Sequence, residues 1–84
     1  MIKMFTTDTC GSCKLIKSYL PHIDINIEEI LLSDSTRDQF KEHNVTFAPT
    51  LLFYKDDQIV HRHEGYISQG KLMEVYYESL REHS

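Results

Sequence analysis

A chain of 84 residues holds one domain with a modest core and leaves no room for a second. Hydrophobic side chains make up 40% and charged ones 26%, with nine residues Tyr or Phe, a composition that suits a packed globule and not a disordered segment. The net charge of -4, with nine Lys and Arg scattered among thirteen acids, argues against a nucleic-acid footprint, and no apolar run approaches the roughly 20 residues of a membrane span.

Met1-Ile2-Lys3-Met4-Phe5 carries neither a signal-peptide core nor a small-residue cleavage site, so a cytoplasmic location is expected, where lasting structural disulfides are uncommon. Residues 2–6 read as a short buried strand. Cys10-Gly11-Ser12-Cys13 follows, with the only two cysteines of the chain. A disulfide across so short a gap restrains the unfolded chain little, which favours redox chemistry over a structural staple. With a helix starting at the motif, Cys10 meets free backbone N–H groups and the helix dipole, both of which stabilise the attacking thiolate.

The spacing of Leu15, Ile16, Tyr19 and Leu20 predicts a helix over 11–20 that ends at Pro21. Ile23-Asp24-Ile25-Asn26-Ile27 alternates apolar and polar, the period of a strand near a sheet edge. Ser33 and Asp34 offer an N-cap for a short polar helix reaching about Asn44, anchored by Phe40. Thr50–Tyr54 and Ile59–Arg62 flank Lys55-Asp56-Asp57-Gln58 as a hairpin, and the first run, apolar on both faces, belongs inside the sheet. After Gly65, Ser68 caps a last helix with Leu72, Met73, Tyr76 and Leu80 turned inward. Strand, helix, strand, helix, hairpin, helix is an α/β order: the first two strands need a right-handed parallel crossover, and the last two pair antiparallel.

The cysteine pair has two plainer readings, inert thiols or half a zinc site completed by His61 and His63. Those histidines, alternate residues of an edge strand, read more simply as surface groups. His22, His43 and His83 fall near predicted element ends. Tyr76 and Tyr77 suit core or half-core packing, and Glu28-Glu29, Asp34 and Asp38 are expected to face solvent.

With Cys10-Gly11-Ser12-Cys13 after a strand, Phe47-Ala48-Pro49-Thr50 before a hairpin and Gly65 ahead of the final helix, the chain resembles the thioredoxin superfamily over nearly its whole length. It looks like a small thioredoxin or glutaredoxin-like protein: one domain over residues 1–84 with the minimal β-α-β-α-β-β-α thioredoxin fold around a four-stranded mixed sheet. The resemblance implies that Cys10 is the nucleophile and Cys13 the resolving thiol of a redox-active disulfide. It also implies a cis bond before Pro49, and a substrate groove formed by Gly11, Ser12, Ala48, Pro49, Gly65 and Tyr66.

Departures from the family pattern are specific. Thr9 stands where thioredoxins commonly carry Trp, and Met4, six residues before Cys10, replaces the buried Asp that handles the proton of the resolving thiol. Asp8, expected to be exposed, opposes a Cys10 thiolate, whereas Lys14 and Lys17 favour one. Thr7 and Ile67-Ser68-Gln69 occupy places where glutaredoxins show glutathione-binding groups, which tilts the expected electron donor to a thioredoxin-reductase-like flavoprotein. The expected activity is thiol–disulfide exchange on protein disulfides by a monomer with no bound cofactor or metal and no nucleic-acid or membrane partner. A glutathione-dependent glutaredoxin-type enzyme and a non-enzymatic zinc-binding module stand as alternatives.

Overall fold

Alternation along β1 (Ile2–Thr6) sets the two faces of the molecule. A computed structural model of the chain describes residues 1–81, so His83 lies outside the described residues. On one face Ile2 and Met4, both fully buried, pack with Ile16 of α1 (Gly11–Tyr19), with Leu51 and Phe53 of β3 (Thr50–Lys55), and with Leu72 and Val75 of α3 (Gln69–Arg81). On the other, Phe5 meets Phe40 of α2 (Arg37–Glu42) edge to face, the ring centroids 5.0 Å apart, within a cluster completed by Ile30, Val45 and Leu52. Burying each such side chain fully contributes about 1.5–3 kcal/mol.

β2 (Ile27–Leu31) lies parallel to β1, while β3 pairs antiparallel with both β1 and β4 (Gln58–Glu64), giving the sheet order β2-β1-β3-β4. This is the expected four-stranded mixed sheet in the expected order of elements. β3 is interior and feeds both clusters, as its two-sided apolarity predicts. Asp56 and Asp57 turn the hairpin, both with positive φ (53° and 66°), the geometry of a two-residue type I′ loop that matches strand twist. Val60 is an extra residue on β4, because the register steps from Phe53↔His61 to Tyr54↔Ile59.

Four expectations need correcting. The second strand is Ile27–Leu31 and not residues 23–27. β1 begins at Ile2, paired with Ile27, so earlier residues have no strand to pair with. Ile23 and Ile25 pack against the core as loop residues, which explains their alternation. The helix from 11 stops at Tyr19 and tightens into a 3₁₀ turn, Leu20–His22, and Leu15 points outward, 58% exposed. The N-cap of α2 is Thr36, while Ser33 belongs to the preceding turn, its N–H donating to Thr36 Oγ1 at 2.9 Å. In α3 the buried stripe is Leu72, Val75 and Ser79, with Met73 and Tyr76 half-buried and Leu80 exposed. Ser79 is accommodated because its hydroxyl donates to Val75 O at 2.8 Å.

The end of α2 is a Schellman motif. Val45 N–H donates to Phe40 O at 2.8 Å and Asn44 N–H to Lys41 O at 3.1 Å, with Asn44 left-handed at φ 54°. It aims the following loop, residues 46–49, at one end of the sheet.

Candidate functional site

Strand register gathers the candidate residues. Thr6 pairs with Leu31, Phe5 with Thr50 and Thr50 with Glu64, so the segments after β1, β2 and β4 and before β3 all leave the same end of the sheet. Cys10 is the N-cap of α1, its backbone extended at φ -85° and ψ 105°, and its Sγ accepts the Cys13 N–H at 3.1 Å. The two cysteines are joined as a disulfide, with Cα atoms 5.3 Å apart. Cys10 is half-buried, whereas Cys13 is 1% exposed. No acid occupies the first turn of α1 to oppose a thiolate there. Gly11 faces open space and Ser12 is half-buried in the same turn.

The Ala48-Pro49 bond is cis, with Pro49 buried and Ala48 half-buried. Pro49 O accepts the N–H of Gly65 at 2.8 Å. Gly65 has φ +96°, and a Cβ there would make ordinary contact with Phe47 at 3.8 Å, so conformation and not space calls for glycine. Tyr66 is 48% exposed, with its carbonyl 3.0 Å from His63 Nε2, and it borders neither cleft of this end.

Two clefts meet at Thr7. The larger, about 630 Å³, runs from Ala48 and Phe47 over Phe40, Val45 and Leu32, with Arg37 and Lys41 at its edge. The smaller, about 360 Å³, is lined by Cys10, Cys13, Lys17, Glu29 and Leu31, with Asp8 and Lys14. Glu29 Oε2 accepts from the Thr6 hydroxyl at 2.7 Å and from Lys17 Nζ at 3.1 Å. The Thr6 hydroxyl above all, with Lys17 adding to it and burial opposing, holds the Glu29 carboxyl below the usual carboxylate range. Across the core, burial and repulsion from Tyr66 push the Tyr19 hydroxyl up to about 12 while it donates to Ile67 O at 2.7 Å.

Met4 is fully buried and apolar, and Thr9 and Asp8 are exposed. Among the described residues, no three His, Cys, Asp or Glu gather as a metal ion needs, and His61 packs its ring against Phe53 at 5.4 Å. Glu29 is exposed, as expected of a solvent-facing acid, but its place in the cysteine cleft was not legible in the sequence. Only the true position of β2 opposes Glu29 to Met4 and turns it toward α1. Thr7, Arg37 and Lys41 were likewise invisible as cleft residues, since they converge only through the α2 crossover.

A family model described as Thioredoxin matches residues 1–78. Solved structures with the same fold include an uncharacterized thioredoxin-like protein from Clostridium perfringens (TM-score 0.79, 21% identity, 92% of this chain and 68% of that one). Thioredoxin 1 from Thermosipho africanus (TM-score 0.74, 21%, 95% and 93%) and thioredoxin from Aeropyrum pernix (TM-score 0.73, 21%, 92% and 72%) are similar too. A search among curated proteins returns no match. Carrying a joined Cys10–Cys13 pair at a helix start, and matched from residue 1 to 78, the chain belongs to the thioredoxin family and is a thiol–disulfide oxidoreductase.

Proposed function

We propose that this chain reduces protein disulfides by dithiol exchange, with Cys10 as nucleophile and Cys13 as resolving thiol. The observation that carries the assignment is the asymmetry across the pair: Cys10 caps the helix and is accessible, while Cys13 is 1% exposed one turn further in. The reduced Cys10 thiolate attacks a substrate disulfide, forming a mixed disulfide and releasing one substrate thiolate. Cys13 then attacks Cys10 Sγ, releases the second thiolate and closes the Cys10–Cys13 bond, so two electrons pass to the substrate. The larger cleft, apolar on its floor and ending at Ala48, suits an extended client segment, and the Ala48 N–H and C=O make no backbone hydrogen bond among the described residues, which leaves them for strand-like pairing. A thioredoxin-reductase-like flavoprotein restores the dithiol, and the protein works as a cytoplasmic monomer without a bound cofactor.

Insulin reduction tests the roles. Cys10→Ser should abolish turnover, and Cys13→Ser should accumulate a mixed disulfide that mass spectrometry detects. Full activity of Cys13→Ser on protein disulfides would rule out dithiol exchange. Activity of that variant with glutathione alone would point to the glutaredoxin-type reaction instead.

A further inference from the structure

Cys13 must lose a proton before it can resolve a mixed disulfide, yet at 1% exposure its sulfur has almost no contact with bulk water. Burial among apolar groups also disfavours the thiolate. On β1, beneath the motif, Met4 is fully buried and can accept nothing. The cleft beside the cysteines holds two carboxylates. Asp8, on the loop after β1, is exposed and makes no hydrogen bond among the described residues. Glu29 is exposed as well, but it is anchored through Oε2 by Thr6 and Lys17, leaving Oε1 without a protein partner among the described residues. The register Met4↔Glu29 places this acid one strand over from the apolar position, on the same face of the sheet.

We propose that Glu29 is the proton acceptor for Cys13, reached through the cleft that both residues line. The inference rests on the dithiol-exchange reading above. In the step, the Cys13 S–H proton passes by a cleft water to the Glu29 carboxylate. The Cys13 thiolate attacks Cys10 Sγ, the bond from Cys10 to the substrate sulfur breaks, and the substrate leaves as a thiolate. Glu29 returns its proton to that thiolate or to solvent. Lys17, one turn beyond Cys13 and 3.1 Å from Glu29, is a cation and accepts no proton; with Lys14 it favours the anions on both partners, while Asp8 opposes them. Glu28, the neighbour in β2, pairs with Lys3 on the opposite face and takes no part. Thr6 and Lys17 hold the Glu29 carboxylate ionised and orient it; the same bonds make it a weaker base, so it passes the proton on and does not store it.

The test is a single turnover of the reduced chain with a nitrobenzoate disulfide that releases one coloured thiolate when Cys10 attacks and a second when Cys13 resolves. Glu29→Gln should leave the first release unchanged and slow the second by about 10²-fold at neutral pH, the lower end of the effect of a positioned acid–base group. The deficit should shrink as pH rises beyond about 8.5, the value of a free thiol, because hydroxide then takes the proton of the buried thiol without help from Glu29. Glu29→Asp, which keeps the carboxylate, should recover part of the rate. An unchanged second release, a slowing that is the same at every pH, or faster release in both phases would overturn the proposal. The last of these would make the carboxylate only a repulsive charge. If the unaltered chain released a single coloured thiolate, the dithiol reading itself would fail.

Discussion

Removing the Arg62 guanidinium should loosen the loop that carries Ala48 and Pro49. Arg62 sits on β4, opposite Leu52, and reaches across to the end of α2, donating to His43 O at 2.7 Å and to Asn44 O at 2.9 Å. These carbonyls lie at and just past the C-cap of the helix, where the Schellman bonds leave them unpaired. A hydrogen bond to a charged group contributes about 1.5–3 kcal/mol when buried. The Arg62 side chain is 34% exposed, so water replaces part of what is lost, and its 3.0 Å pair with the half-exposed Glu64 adds about 0–1 kcal/mol. We therefore expect Arg62→Ala to cost about 2 kcal/mol, seen as a fall of roughly 10 °C in melting temperature for a domain of this size. Arg62→Lys, a point charge without a fork, should recover about half of that 2 kcal/mol. The larger cleft shares this loop through Asn44, Val45, Phe47 and Ala48. In consequence KM for insulin should rise in Arg62→Ala while attack on the small nitrobenzoate disulfide stays unchanged. A loss under about 0.5 kcal/mol, the range of ordinary surface changes, or full rescue by lysine, would refute the reasoning.

Neighbouring residues of α1 should respond in opposite ways: Ile16→Ala, at 0% exposure, should cost about 2–4 kcal/mol in urea unfolding, and Leu15→Ala, 58% exposed, less than about 0.5. Equal losses would contradict the observed rotation of the helix. Asp57→Gly should raise the melting temperature by about 2–4 °C, since glycine relieves the positive φ of 66° at the second turn position while adding unfolded-chain entropy. Asp57→Val should lower it. Tyr19 has a folded-state pKa of about 12 against 10.0 for the free side chain, so its stabilising contribution is whole below pH 10 and is lost as pH rises through about 12. Tyr19→Phe should flatten this alkaline fall in denaturation midpoint and cost about 1 kcal/mol at neutral pH, from the lost bond to Ile67 O. An alkaline fall identical to that of the parent chain would place the titration elsewhere.

What the sequence alone determined about this protein is whatever depends on neighbours along the chain. The two-residue cysteine spacing at a helix start, the two-sided apolarity of Thr50–Tyr54, the Asp-Asp turn and the order of elements are all local, and they carried the α/β class, the interior strand and the redox pair. Tertiary structure decided what depends on partners distant in sequence. Ile23 and Ile25 show a strand's alternation without a strand, because β1 starts too late to pair with them. Leu15 and Leu80 look like core residues but lie outside, because α1 turns Cys13 and Ile16 to the core and α3 turns Leu72, Val75 and Ser79 there. Glu29 belongs to the cysteine cleft through a parallel register that joins residues 25 positions apart, Met4 and Glu29. No period in the sequence records such a register, which is set by how the sheet buries both of its faces at once.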